Sequence, residues 1–480
     1  MFKKLNVAIF KSIIARLSTY IIQFIMLAIY SRMFTPQEFG YIAALQVFVI
    51  FFQLFSDIGI GPALINEPHV YDRKRDGVFS FTIILGALIG FAFYLFSFTL
   101  SSFYGGEDFS IYALIVSFSI LFQSMSIVLV VSLQRETKFF ELASCDIFAE
   151  LISVIGVIVL YKCGAGVFSL ASRSLFQSMA RLIPLFYHAA KTEIGIPKPS
   201  KEISQIKHIL KFSSYQFAFN FINYFSRNLD TILVGKYFGF AQLGLYDKSY
   251  QLLKYPLMLI SYAMTPAIQP VLSRSRDEKH LILSAHNYLV KALVIISLPL
   301  ATFIYMNSKV IVLFLFGEQW INVAPIIEVF SFIIPVQVVL STSGSFFQSM
   351  NRPDLLFFSG LVIAAINVVS IVIGVINQDL IILAKLICAS YFIGFIVNYY
   401  ILFRFCFNCS VMVFIKEVYE GIKLVFYPVI SYVFIFNLMR LHEFFSERYI
   451  LAIIFNSLLG ALLLFLFNIR FIKKSLMRIR

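Results

Sequence analysis

Runs of about twenty residues with almost no charge recur along the whole chain, and no other feature constrains its fold as tightly. Fourteen are legible: 12–31, 39–60, 78–103, 109–133, 142–160, 166–187, 212–234, 243–271, 289–306, 324–347, 355–376, 380–403, 422–439 and 450–467. In hydrocarbon every backbone N–H and C=O needs a partner inside the chain, so segments of this length cross as helices. Apolar residues make up 60% of the 480 and charged residues only 13%. A soluble chain carries about twice that charge. The expected fold class is an all-α polytopic membrane protein with about 14 transmembrane helices. Polar residues crowd the connection between the last two.

The net charge of +14 raises nucleic acid as a partner, and its distribution argues against one. Even-numbered connections plus both termini hold 25 of the 39 Lys and Arg, and the opposite side holds six. Short loops rich in Lys and Arg stay cytoplasmic, so an even number of spans with both termini cytoplasmic is expected. Cationic loops against anionic headgroups account for the basic charge, which makes membrane lipids the partner and excludes nucleic acid. The first apolar segment carries Lys11 and Arg16 with no small-residue cleavage site behind it, so it should remain as a helix. Cys406 and Cys409 have CxxC spacing but no second pair and no nearby His, so neither a metal site nor a cofactor is expected.

A polar stripe occurs twice. The first reads Ser12, Arg16, Thr19 and Gln23, and the second Gln216, Asn220, Asn223, Arg227 and Asp230. Steps of four, three and four keep each set on one helix face. An offset of 204 superposes the stripes, Arg32-Met33-Phe34 on Lys236-Tyr237-Phe238, and Phe39-Gly40-Tyr41 on Leu243-Gly244-Leu245. A weaker correspondence pairs Gln134-Arg135-Glu136-Thr137-Lys138 with Gln348-Ser349-Met350-Asn351-Arg352. The duplication implies an N-terminal six-helix lobe (1–190), a cytoplasmic linker (191–211) containing Gly195, Pro197 and Pro199, and a C-terminal six-helix lobe (212–405). Residues 406–480 add two helices and a basic tail. Six spans per copy give both copies the same orientation, a parallel repeat.

Arg or Lys at the centre of a membrane helix costs at least about 2.5–3.5 kcal/mol, so each one needs a reason. The deep ones are Arg16, Arg173, Arg227 and Lys254, and Arg173, Gln177 and Arg181 share one face. Guanidinium groups with amide donors suit an oxyanion, above all a phosphate, which Arg grips bidentately. Gln23, Gln177, Asn220 and Asn223 supply the amides. Acidic residues in or near the spans are Asp57, Asp146, Glu150, Asp230, Asp247 and Glu328. Asp230 can neutralise Arg227 or exchange with a substrate anion, and Glu328 is a candidate coupling site. Helix breakers include Pro184, Pro256, Pro299, Pro325 and Pro335, with Pro256 the preferred flexing point.

Five segments in order resemble landmarks of one family: residues 31–40 (Ser-Arg-Met-Phe-Thr-Pro-Gln-Glu-Phe-Gly), 57–65, 133–139, 228–235, and Phe316-Gly317-Glu318-Gln319-Trp320. They resemble the Wzx-type polysaccharide and O-antigen flippases, the polysaccharide synthase family within the multidrug/oligosaccharidyl-lipid/polysaccharide exporter superfamily. The resemblance implies two six-helix lobes in a V around a cationic cavity. It also implies a non-enzymatic exporter in the bacterial plasma (inner) membrane that moves undecaprenyl-diphosphate-linked oligosaccharide outward for O-antigen, capsule or exopolysaccharide synthesis. The polysaccharide polymerase machinery would be a further partner. Asn220, where the repeat would place an Arg, departs from symmetry with Arg16.

Two alternatives stay open. A drug or cation antiporter of the same superfamily should show an acidic interior. A polysaccharide polymerase or ligase should show a large outward loop, whereas the longest outward stretch, 307–323, is short and mostly apolar.

Overall fold

The computed structural model describes residues 2–57, 72–200, 228–258, 278–438 and 451–464 with a few isolated positions between them. The side chains of 2–13, 15–17, 57 and 72–74 lie outside that description. The chain divides into two compact units, Met1–Gly244 and Leu245–Arg480.

The first unit holds α1 (Phe2–Met33), α2 (Pro36–Asp57), α3 (Asp72–Phe103), α4 (Ser110–Arg135), α5 (Phe139–Lys162) and α6 (Val167–Ala189). It also includes helical residues 228–238 and the first turn of α7 (Phe240–Leu257). The start of α2 is written locally: Thr35 and Glu38 form a reciprocal capping box, with Thr35 N donating to Glu38 Oε2 at 2.8 Å and Glu38 N to Thr35 Oγ1 at 3.3 Å. Pro36 occupies the first helical position, where no N–H is needed. α3 meets α4 through small residues. A Cβ on Gly90 would stand 2.7 Å from the Ser117 carbonyl oxygen, so only glycine lets the backbones approach this closely.

Gly40 and Gly244, equivalent in the repeat, pack backbone against backbone. A Cβ on Gly40 would overlap the Phe240 carbonyl oxygen, and one on Gly244 would overlap the Pro36 carbonyl oxygen. Pro36 and Phe240 also differ by the repeat offset, so the contact is reciprocal. Tyr41, Tyr104 and Phe109 close over it, each ring centroid within 6.0 Å of Phe240.

The second unit holds the rest of α7, α8 (Lys279–Met306), α9 (Ser308–Leu315), α10 (Ala324–Ser331), α11 (Ile333–Ser349), α12 (Pro353–Ile376), α13 (Leu380–Ile401), α14 (Val411–Leu438) and α15 (Leu451–Leu464). The single span expected over 324–347 is bent by 54° at Phe332. Pro335 explains the place, because its ring excludes the carbonyl four residues back, that of Ser331, the last residue of α10. The appended helices are not loose. Asn307, fully buried between α8 and α9, donates to Tyr432 OH of α14 at 2.8 Å and accepts from Asn456 Nδ2 of α15 at 2.7 Å.

The second correspondence of the repeat reappears as geometry. Thr137 and Asn351 both adopt left-handed φ, 56° and 58°. Lys138 N then bonds Leu133 O, and Arg352 N bonds Phe347 O, both at 2.9 Å. Gly164 and Gln378, separated by the same 214 positions, are also left-handed, at 84° and 52°. Each turn is a helix C-terminal cap that satisfies trailing carbonyls.

Among the described residues eight helices are long and apolar enough to cross a bilayer, or nine if the bent pair counts as one. α1 and α6, of 32 and 23 residues, are comparably long; α1 carries the first polar stripe and α6 the shared face of Arg173, Gln177 and Arg181.

Candidate functional site

The most developed polar cluster in the first unit joins α5 to α6. Asp146 and Glu150 stand one turn apart on α5, facing Arg173, Gln177 and Arg181 on α6. Arg173 Nη2 donates to Glu150 Oε1 at 2.8 Å, Gln177 Nε2 to Glu150 Oε2 at 2.8 Å, and Arg181 Nε to Asp146 Oδ1 at 2.7 Å. The ladder follows from sequence spacing, since steps of four on both helices stack successive rungs. Glu150 is 3% exposed and bridges two donors, while Arg173 keeps 35% of its side chain accessible. The Arg173 guanidinium carbon lies 5.1 Å from the Tyr30 ring centroid, which ties α1 to the cluster.

Chemically this is a carboxylate holding a guanidinium and an amide side by side. Arg173 and Gln177, expected as anion ligands, are thus brought together by Glu150. Glu150 and Asp146 stand out in the sequence as acidic residues near the spans, without assigned partners. The signal was available, because their spacing of four matches that of Arg173, Gln177 and Arg181.

The second unit carries another polar face, on α7. Lys254 is exposed and its Nζ lies 5.3 Å from the Tyr250 ring centroid. Gln251 Nε2 donates to Asp247 Oδ2, and the Tyr250 hydroxyl meets that of Tyr391 on α13 at 2.9 Å. Lys248 turns the other way and is fully buried, its Nζ 5.6 Å from the Trp320 ring and 6.0 Å from the Phe316 ring. The segment Phe316-Gly317-Glu318-Gln319-Trp320 therefore walls a buried lysine. Lys248, Tyr250 and Tyr391 are not among the site residues expected from the sequence.

Asp230 is buried, with Oδ1 accepting from Thr231 N at 2.8 Å. Glu328 is half-buried and accepts from Ser308 Oγ at 2.8 Å. Gln23 is half-buried on α1. Asn220, Asn223 and Arg227, and the side chain of Arg16, lie outside the described residues, so the pairing of Arg227 with Asp230 does too.

Against this geometry the comparisons with known proteins fall into place. Residues 29–325 match the model of the family described as "Polysaccharide biosynthesis protein". The chain belongs to that family. Among curated relatives it is 24% identical over 339 residues to the teichuronic acid biosynthesis protein TuaB of Bacillus subtilis (strain 168), covering 70% of each chain. It is 20% identical over 352 residues to the lipopolysaccharide biosynthesis protein WzxC of Escherichia coli (strain K12), covering 73% of this chain and 71% of WzxC. Among solved structures, the inward closed conformation of the lipid II flippase MurJ superposes with a TM-score of 0.72 at 16% identity, over 98% of this chain and 99% of MurJ. An inward-facing multidrug resistance MATE family transporter of the MOP superfamily gives 0.58 at 17% identity, over 80% of this chain and 97% of its own. The family match places the chain in polysaccharide biosynthesis, and these folds agree on an all-helical membrane-protein architecture.

Proposed function

We propose that this protein is a flippase that carries polyprenyl-diphosphate-linked oligosaccharide across the bacterial plasma membrane for cell-surface polysaccharide synthesis. The observation that carries the reading is the lipid II flippase likeness. It runs over 98% of the chain, the C-terminal helices included, in a family described by polysaccharide biosynthesis. The MATE transporter's likeness covers 80%, and it supports a drug or cation antiporter as the second reading.

In the proposed mechanism the lipid-linked saccharide enters from the cytoplasmic leaflet, with both termini of the protein on that side. About fourteen spans are arranged as six-helix repeats over 1–190 and 212–405, a linker between them, and two added helices in 406–480. Arg16, Arg173, Arg227 and Lys254 attract the diphosphate, with Gln23, Gln177, Asn220 and Asn223 as amide donors. Arg173 is held in place by Glu150 yet keeps 35% of its side chain exposed, which suits a guanidinium shared between a fixed carboxylate and an arriving phosphate. Asp230 and Glu328 serve as switch or coupling groups. Alternating access then delivers the head group outward. An inside-negative potential favours outward transfer of net negative charge by about 2.3 kcal/mol per charge per 100 mV. The chemistry is transport, with no bond made or broken.

The test uses a strain lacking the protein and any second flippase, complemented with wild type or Arg227→Ala. Undecaprenyl-diphosphate-linked oligosaccharide is quantified in each leaflet. Inner-leaflet accumulation relieved by wild type and unrelieved by an expressed Arg227→Ala is expected. A normal leaflet distribution in the deletion strain overturns the reading and moves the antiporter forward.

A further inference from the structure

Asp247, Tyr250, Gln251 and Lys254 stand at positions i, i+3, i+4 and i+7 of α7, one face of the helix. The first three are half-buried and Lys254 is exposed, whereas Lys248, Leu252 and Leu253 on the other side are buried. Tyr391, half-buried on α13, joins the face through its hydroxyl bond to Tyr250. A carboxylate, an amide, two phenols and an ammonium on one accessible face do not suit lipid tails, so this face meets water or a polar ligand.

The composition of the face distinguishes between polar ligands. A diphosphate calls for cations and donors, and a carboxylate at Asp247 repels it. Neutral vicinal hydroxyls call for the mixture present here. Asp247 accepts from hydroxyls, Gln251 carries both donor and acceptor atoms, and each tyrosine hydroxyl does either. The Tyr250 and Tyr391 rings add apolar faces for the C–H side of a pyranose. A few convergent polar groups set among apolar ones are how small-molecule sites fix orientation. Lys254, one turn beyond Gln251, is the cation at the end of the row.

We propose that Asp247, Tyr250, Gln251 and Tyr391 form a saccharide subsite that reads the sugar proximal to the diphosphate, with Lys254 contacting the adjoining phosphate oxygen. This subsite rests on the flippase reading and deepens it by separating sugar recognition from charge recognition. Because a sugar that lacks a matching hydroxyl leaves these half-buried polar groups unpaired, the site discriminates by the hydroxyls it pairs.

The test measures binding of two ligands to the purified full-length protein in detergent: undecaprenyl diphosphate without sugar, and the undecaprenyl-diphosphate-linked oligosaccharide extracted from the native host. Wild type is expected to bind the saccharide-bearing lipid at least tenfold more tightly. Gln251→Ala and Tyr391→Phe should abolish that preference while leaving the bare lipid's affinity within twofold. Lys254→Ala should weaken both lipids alike. Tyr391→Phe removes a single oxygen and keeps the ring, and a thermal melt matching wild type shows that it folds. Equal affinity of wild type for both lipids would remove the subsite and leave the flippase reading standing. So would an unchanged preference in Gln251→Ala and Tyr391→Phe, or an equal loss for both lipids. Failure of wild type to bind either lipid would overturn both.

Discussion

Gly40 and Gly244 touch through their backbones, at positions the internal repeat makes equivalent, and each faces the other copy's first-turn carbonyl. A side chain at either position has nowhere to go, since the obstacle is backbone. The amide nitrogen of Gly244 is itself only 2.8 Å from where a Gly40 Cβ would sit. Gly40→Val and Gly244→Val should each destabilise the protein by about 1–3 kcal/mol, the usual size of an overpacking penalty. Thermal unfolding in detergent measures this. Gly344→Ala, whose Cβ would meet nothing closer than 3.8 Å, serves as the control and should unfold as wild type does.

Glu150 bridges Arg173 and Gln177 while 3% exposed, and Asp146 holds Arg181 while 34% exposed. Removing the buried carboxylate leaves two donors without their acceptor, at a cost of about 2–3 kcal/mol, reduced from the fully buried case because Arg173 is partly solvated. Removing the accessible carboxylate should cost about 1 kcal/mol or less. Glu150→Ala is therefore expected to lower the melting temperature more than Asp146→Ala. A double-mutant cycle of Glu150→Gln with Arg173→Gln should show coupling, and additive effects would mean that the pair does not act as one unit.

Thr137 holds a left-handed φ of 56° despite its β-branched side chain, and its repeat counterpart Asn351 holds 58°. Threonine is strained there, while asparagine and glycine tolerate the region. Thr137→Asn and Thr137→Gly should stabilise the protein by about 1 kcal/mol. Asn351→Thr should do the reverse, and the pair of melting temperatures checks both signs.

Glu136 ties the connection after α6 to the turn between α4 and α5. It accepts from Glu193 N at 2.6 Å and pairs with Lys138 Nζ at 2.7 Å, and Lys138 also donates to Lys191 O at 2.8 Å. Partial burial raises its pKa, but the Lys138 ammonium and the Glu193 amide outweigh that and hold the carboxyl below its ordinary 4.5. A lowered folded-state pKa means the contact contributes fully above the ordinary 4.5 and is lost as pH falls through the lower folded-state value. Amide exchange at Glu193 should accelerate relative to neighbouring loops as pH falls through the lowered folded-state pKa of Glu136, and Glu136→Gln should abolish that pH dependence.

Much of the architecture was legible in the chain because membrane helices are specified by composition and their breaks by single residues. The capping box at Thr35 and Glu38, the bend ahead of Pro335 and the turn pair at Thr137 and Asn351 each depend on a few adjacent residues. Side-chain partners were less legible. Arg173 was readable as a costly intramembrane cation, but its bond to Glu150 joins residues 23 apart on different helices. Lys248 sits beside Asp247 in sequence, yet its burial against Trp320 depends on a segment some seventy residues later.

The sequence by itself determined that the backbone is helical, that its two copies share a pattern, and which faces are polar, because hydrocarbon leaves a backbone no alternative and a stripe is periodic. Only the tertiary structure decided which polar groups satisfy one another. Inside an apolar environment an ionic or amide group takes whichever partner packing brings within about 3 Å, and that choice is made by helix contacts rather than by the local chain.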